Sequence, residues 1–379
     1  PTVHRTLRPL AYTPPTAPNG AADLDAPPAA WIPKTPEEIL ALKVCDPGGG
    51  SGTFPVAALR FLTEALFASL HHHGRVSADG ERAVVRLLAG APANANTPEE
   101  RLGQELLPCR PDDALFEPRL KAILRRHVVE RCIYAVDLDP LAVELCRLAL
   151  WIETMDRTLP FSFLDHKVKC GNSLLGAWFD TFQHYPAMAW KNREGGDKGH
   201  SNGVHFEKEA RTKAIKEFVK GTLTPDLVAA ISGQMVFTFS SDAAQHVHEQ
   251  ALALLQRLHD LPVQDSAQRA RLYREELLGS PAYRSLKAAM DLWCACWFWP
   301  ADKLAHAPLP TSMAAPPDET RAIAGRVAAR KRVFHWELEF PDVFRAPGSG
   351  FDAMVGNPPW ENSQPNPEEF FSNVDPLFR

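Results

Sequence analysis

Apolar residues recur along the chain at two spacings, and the alternation between those spacings predicts the fold class. Val3, Leu7 and Leu10 lie at helical spacing, so the first turns form an amphipathic helix. Thr13 to Pro33 is rich in Pro and Ala and reads as a loop, giving residues 1–34 as an N-terminal helix and loop. Thr35-Pro36-Glu37-Glu38 is a capping box with Pro at the first helical position, which starts a short helix. Lys43-Val44-Cys45-Asp46 follows as a buried strand, broken by Pro47-Gly48-Gly49-Gly50-Ser51-Gly52. From Thr53 to about His71, Phe54, Ala58, Phe61, Leu62, Ala65 and Leu66 share one face of a long helix.

Residues 74–128 read as a helical insertion, with a second capping box at Thr97-Pro98-Glu99-Glu100. Ile133-Tyr134-Ala135-Val136 is the next apolar strand, ending at Asp137, and a helix runs from Pro140 to about Ile152. His166 to Cys170 makes a third strand that ends in Gly171-Asn172-Ser173. From Trp178 to about Arg330 the pattern is helical and polar, with loops at 191–206 and 300–318, so 181–330 is predicted as a helical insertion. Leu252, Leu254, Leu255 and Leu258 are one candidate buried face; Leu286, Met290, Trp293 and Trp297 are another. A last strand, Phe351 to Val355, runs into Gly356-Asn357-Pro358-Pro359-Trp360. Strands alternating with helices predict an α/β fold: a Rossmann-like, doubly wound, mostly parallel sheet with large helical insertions. Residues 35–180 and 331–379 are the two parts of that sheet domain.

Composition narrows the class only slightly. At 379 residues the chain exceeds one average domain, and 45% hydrophobic residues suffice for a large core. No apolar run approaches the roughly 18 residues that span a bilayer. The most apolar stretch, Leu292 to Trp299, reads as a buried helix. Pro1 begins mid-pattern with no hydrophobic signal region, so the expectation is a cytoplasmic chain trimmed at its start, with no membrane partner. The seven cysteines are scattered without a C-x-x-C pair, which supports neither a disulfide framework nor a zinc site. A net charge of −5 gives no support to nucleic-acid binding and does not exclude a local basic face. The three histidines at 71–73 read as a solvated helix end suited to the helix dipole, and His246 and His248 as surface residues, so no metal is expected.

The candidate chemistry sits at the strand ends. A strand ending in an acid, then a glycine-rich turn, then a helix sets backbone N–H groups at the crevice above a sheet. Gly50 and Gly52 permit positive φ and close approach. A tight turn with no ligand has the same outline. A dinucleotide fingerprint needs a third glycine where this chain has Pro55, and an acid about 20 residues on, where it has Leu70 to His73. No P-loop Lys follows either. Asp46-Pro47-x-x-Gly50-Ser51-Gly52-x-Phe54 fits an S-adenosylmethionine loop instead. At the second strand end, Asp137 can accept both ribose hydroxyls and Leu138 can pack on the adenine ring, although Asp before Pro also starts helices. Asn172, beside Ser173 at the third strand end, can bond the adenine amino group or simply form an Asx turn.

Asn357-Pro358-Pro359-Trp360 is the most specific element. An exocyclic amine conjugated to a purine is a poor nucleophile. The Asn357 side-chain oxygen and the Pro358 carbonyl can bind its two hydrogens and draw the lone pair out of conjugation. Two prolines fix that carbonyl, and Trp360 offers a stacking face for a base flipped out of the duplex.

DPGGGSGTF, IYAVDLDPLAVELCRLALWIE, VKCGNSLLG, FHWELEFPDVF and MVGNPPW together resemble the large adenine-N6 DNA methyltransferases of restriction-modification and phage-defence systems. These include the type IIG and type ISP restriction enzymes and the methylases of the BREX and DISARM systems. The resemblance covers about 35–180 and 331–362, in matching order. It implies a class I methyltransferase fold, with 35–180 as the S-adenosyl-L-methionine-binding part and 331–379 as the catalytic part. It further implies that Asp46, Pro47, Gly48 and the Gly50–Gly52 turn hold the cofactor's methionine end, that Asp137 binds its ribose, and that Asn357, Pro358, Pro359 and Trp360 are catalytic. Gly48 and Gly49 stand where the family has a small residue and Cys, and Pro55 where it has an aliphatic residue. The partners implied are double-stranded DNA and other defence-system subunits. A methyltransferase acting on RNA or on a protein glutamine shares the N-P-P-aromatic motif, and a non-catalytic cofactor-sensing subunit is the rival from another class. Length and the FHWELEFPDVF segment favour DNA.

Overall fold

The computed structural model describes residues 2–17, 20–88, 103–155, 163–190, 208–232, 241–261, 265–346 and 348–357. Helix α1 (Thr2–Ala11) buries Val3 and Leu7, as their spacing predicts, with Ala11 completing the face and Leu10 half-buried beside it. The Pro-rich stretch after it is closed by a short antiparallel pair, β1 (Tyr12–Thr13) with β2 (Ile32–Pro33). Helix α2 (Pro36–Ala41) starts on the expected capping box: the Glu38 N–H donates to Thr35 Oγ1 at 3.3 Å and the Thr35 N–H to Glu38 Oε2 at 2.9 Å.

The predicted sheet is present and positions everything else. Strands β3 (Val44–Asp46), β7 (Ile133–Asp137), β8 (Val168–Cys170) and β9 (Ala353–Met354) pair in parallel in the spatial order β8-β7-β3-β9. Counting only these strands, the order is 3-2-1-4, which places a topological switch point between the first and fourth. The side-chain period of two divides the strands between two cores. Val44, Ile133, Ala135 and Val168 face α3 (Thr53–His72), α4 (Phe116–Cys132) and α5 (Pro140–Thr154). Cys45, Tyr134 and Val136 face Phe334, Trp336, Phe340 and Val343.

Helix α3 is the core helix of the first layer, with Leu59, Leu62, Leu66 and Leu70 wholly buried. Each such Leu is worth about 1.5–3 kcal/mol, more than the roughly 1 kcal/mol of an end cap, so packing rather than capping holds this helix. By length and composition it is apolar enough to cross a membrane, where the sequence pattern predicts no run of that length, yet half of its apolar stretch is buried in the fold.

Residues 74–128 do not form the expected helical insertion. Strands β4 (Val76–Asp79), β5 (Arg82–Arg86) and β6 (Gln104–Leu107) make an antiparallel sheet, and only α4 is helical. Gly80, at φ +58°, takes the first position of the two-residue turn, and Ala83, Val84 and Val85 are buried. Glycine at the first position of a two-residue turn between short β-prone runs is a hairpin signal that outweighs helical periodicity. The second capping box, at 97–100, lies outside the described residues.

The insertion at 181–330 is helical among the described residues: α6 (Lys208–Phe218), α7 (Thr224–Ser232), α8 (Ser241–Asp260), α9 (Ser266–Arg271), α10 (Pro281–Ala295) and α11 (Asp318–Lys331). Leu255, Leu258, Leu286 and Met290 are buried as predicted. Trp297 is not, because α10 ends at Ala295 and a 3-10 turn re-aims the chain. His246 is exposed, but His248 is half-buried edge-on to Phe179, with ring centroids 5.5 Å apart. The 191–206 loop lies outside the described residues.

Charged residues fasten the second face of the sheet. Lys167 Nζ donates to Tyr134 Oη at 2.7 Å and to Asp342 at 3.0 Å, and the Tyr134 hydroxyl donates to the same carboxylate oxygen at 2.5 Å. Lys169 pairs with Glu339 at 2.9 Å, on the short helix α12 (Trp336–Glu339). The buried Arg269 of α9 donates to the buried Glu130 of α4, tying insertion to sheet domain.

Candidate functional site

The carboxyl ends of β7, β3 and β9 lie side by side, where a doubly wound sheet opens its crevice at the switch point. Asp46, at the end of β3, is only 4% exposed and accepts the Gly48 N–H at 3.1 Å. Burial pushes its carboxyl up to about 6; the Gly48 bond opposes this and the nearby Asp137 adds to it. The turn then folds back on the sheet, with the Gly49 N–H donating to the Val136 carbonyl at 3.0 Å and the Gly52 N–H to the Gly49 carbonyl at 2.9 Å. Gly50 and Gly52 both have positive φ, +50° and +94°. A Cβ on Gly52 would stand 3.1 Å from Cys146 Sγ on α5, so this glycine permits close helix packing. Gly48 and Ser51 are exposed, Pro47 is half-buried, and Phe54 packs against the α3 core.

Asp137 stitches the two halves of the crevice together. Its Oδ2 accepts the Gly50 N–H at 2.8 Å and its Oδ1 the Asp139 N–H at 2.7 Å. The cap of α5 is made by Asp139, whose Oδ1 accepts the Leu141 N–H at 3.0 Å, so Asp137 is not the capping residue. A carboxylate offers about four acceptor positions, which leaves two for a ligand's hydroxyls. Leu138 projects at the rim, 52% exposed.

At the end of β8 the Asx turn forms: Asn172 Oδ1 accepts the Leu174 N–H at 3.0 Å. One lone pair of that oxygen is thereby taken and the other stays available to an amine. The Ser173 carbonyl accepts the Trp336 indole N–H at 3.0 Å.

The segment 334–342 is the part whose role sequence reasoning did not reach. Phe334 lies across the 171–176 loop, where a Cβ on Gly171 would stand 2.9 Å from Phe334 Cβ and one on Gly176 would meet the Phe334 carbonyl. His335, wholly buried, accepts the Ala177 N–H at Nδ1 (3.0 Å), which leaves Nε2 to donate to Asp291 of α10 at 3.0 Å. Glu337 accepts the Phe179 N–H at 2.5 Å. The consecutive residues Phe334, His335, Trp336 and Glu337 therefore hold the 171–179 segment that carries Asn172. A pattern that matches neither a helical nor a strand period was the available signal.

Strand β9 brings Asn357, the first residue of the last motif, to the same end of the sheet. The Val355 N–H donates to the Cys45 carbonyl at 2.9 Å, continuing the ladder past Met354. A Cβ on Gly356 would stand 2.6 Å from Asp46 Oδ1, so the chain passes directly over that carboxylate. Asn357 follows, exposed at the rim. Pro358, Pro359 and Trp360 lie outside the described residues. Two carboxylates, a turn of backbone N–H groups and an exposed carboxamide thus share one crevice, which suits a ligand carrying both cationic and hydroxyl groups. No protein-family model, curated protein or solved structure matches the chain.

Proposed function

We propose that the chain is the catalytic part of an S-adenosylmethionine-dependent DNA methyltransferase that modifies the exocyclic N6 of adenine in a restriction-modification or phage-defence system. The observation that carries this reading is the passage of Gly356 over Asp46, which sets Asn357 at the rim of the crevice lined by Asp46, Gly50 and Asp137. The residues suit the cofactor: two neighbouring acids favour a ligand with cationic ammonium and sulfonium groups, and the spare acceptor positions of Asp137 suit ribose hydroxyls. Bound there, the cofactor supplies a methyl group already electrophilic on its sulfonium. The chain's own residues do the rest by position. Asp46 binds cationic N–H groups, Asp137 fixes the ribose, Leu138 and Asn172 border the adenine, and the Asn357 carboxamide oxygen accepts a hydrogen from the target amine.

Mass spectrometry of nucleic acid and protein from cells expressing the gene tests the reaction. N6-methyladenine in DNA is the expected product. Label in RNA or in glutamine would replace the substrate, and none anywhere would favour a cofactor-sensing subunit.

Calorimetric titration of S-adenosylmethionine tests the site. Asp137→Ala is expected to weaken binding about ten- to hundredfold, the worth of one charge-assisted hydrogen bond at about 1.5–3 kcal/mol. Parental affinity in that variant would refute the ribose assignment.

The raised carboxyl of Asp46 adds a pH signature. It ionises near 6 in the fold instead of near 3.8, so the ligand-free fold binds the proton more tightly than the unfolded chain. Its contribution to stability therefore falls as pH rises from about 4 through about 6. A cationic ligand favours the ionised form, so cofactor affinity should rise over that same interval, and Asp46→Asn should flatten both trends. Titrations at about pH 5 and about pH 7.5 decide it: equal affinities in the parent would remove Asp46 from contact with the cation.

A further inference from the structure

The insertion's last helix, α11, ends on a residue in an unusual conformation, and that residue touches both candidate neighbours of the cofactor's adenine. Arg332 is the one non-glycine residue with positive φ among those described (φ 52°, ψ 48°). The cap geometry explains the backbone: the Arg332 N–H donates to the Ala329 carbonyl at 3.2 Å and the Val333 N–H to the Ala328 carbonyl at 3.1 Å. Val333 and Ala328 then share a buried cluster, completing a Schellman-type closure. Glycine makes such a cap without strain, so an Arg contributes nothing to it that glycine lacks. What the Arg adds lies on the other side. Its carbonyl accepts the Asn172 N–H at 2.6 Å, and a parallel bridge joins Asn172 to Val333. Its guanidinium donates through Nη1 to the Leu138 carbonyl.

Main chain and side chain of Arg332 therefore span the gap between Leu138 and Asn172. The side chain is exposed there, and a guanidinium has five N–H groups and a flat face. Purine rings present ring-nitrogen acceptors and a π face, both of which a guanidinium binds. We infer that Arg332 is a cofactor-specificity residue that holds the adenine end of S-adenosylmethionine, supplied by the far end of the helical insertion; this rests on the cofactor reading above. The segments that flank the insertion meet beside this subsite, where Asn172 bridges Val333.

Arg332→Gly is the informative variant, because it removes the side chain while relaxing the left-handed cap. Calorimetry on the whole protein should show about tenfold weaker binding of S-adenosylmethionine and of plain adenosine by the same factor, with the ligand-free melting temperature unchanged or raised. Arg332→Lys, which keeps the charge without the flat fork, should recover only part of the loss. Parental binding by Arg332→Gly overturns the inference, and so does a loss confined to S-adenosylmethionine, which would put Arg332 at the methionine end. Asp137→Ala separates the two levels: if it weakens binding while Arg332→Gly does not, only the adenine role fails. If the parent binds neither ligand, both fail.

Discussion

Replacing Lys167 with Met is expected to destabilise the fold by about 3–5 kcal/mol, although the two side chains are similar in length. Lys167 is wholly buried and Asp342 is 6% exposed, so neither charge is screened by water. Burial draws the Lys167 ammonium down to about 8. Burial would raise the Asp342 carboxyl, but Lys167 beside it outweighs that and holds it well below the usual range. Met fills the space yet leaves a buried carboxylate whose closest hydrogen-bond donor is then a neutral phenol. Replacing the whole triad, Tyr134→Phe with Lys167→Met and Asp342→Leu, should recover most of the loss, because no charge then remains buried without its partner. The acid limb has a definite sign. Asp342's carboxyl is lowered in the fold, so its contribution is present above about pH 4 and is lost as pH falls below that. Urea unfolding of the single and triple variants measures both costs. A single variant within about 1 kcal/mol of the parent would mean the triad does not anchor the sheet to the 334–342 segment.

That triad also marks where the sequence stopped being readable. Buried parallel strands are continuous apolar runs, so Val44–Cys45 and Ile133–Val136 were legible, and with them the acids Asp46 and Asp137 that close them. The glycine turn was legible because glycine takes positive φ values, such as those of Gly50 and Gly52, without the strain a Cβ brings. Lys167 and Lys169 belong to a strand segment without contributing an apolar signal, and the partner Asp342 lies 175 residues away along the chain. Pairing over that distance leaves no local pattern.

Two other failures have different causes. At 74–128 a hairpin replaces the expected helix because a two-residue glycine turn, Gly80-Glu81, fixes register locally. Arg332 gave no signal because a helix end is expected to carry Gly or Asn, and a cationic residue there reads as an ordinary dipole complement. The Asx turn at Asn172 was foreseen as one of two uses of that side chain, and the fold realises it without removing the other. For Pro358, Pro359 and Trp360, sequence reasoning still stands alone, since they lie outside the described residues.

Asn357→Ala should lower methyl transfer by at least about 10²–10³-fold while leaving cofactor affinity within a few-fold of the parent. The size follows from the chemistry. An adenine amine donates its lone pair into the ring, and a preorganised acceptor on one of its hydrogens acts mainly in the transition state, where nitrogen becomes pyramidal. The selectivity follows from the geometry. Asn357 is exposed at the rim after Gly356, whereas the groups assigned to the cofactor are Asp46, the Gly50–Gly52 turn and Asp137 on neighbouring strands. Exposed substitutions commonly change stability by less than about 0.5 kcal/mol, so loss of fold should not mask the effect. Asn357→Asp, which keeps an acceptor oxygen, should retain measurable transfer. Labelled methyl incorporation into DNA at saturating cofactor, beside calorimetric affinities, gives both numbers. Equal losses in transfer and affinity would make Asn357 a structural residue of the crevice, and unchanged transfer would leave the target amine without its proposed acceptor.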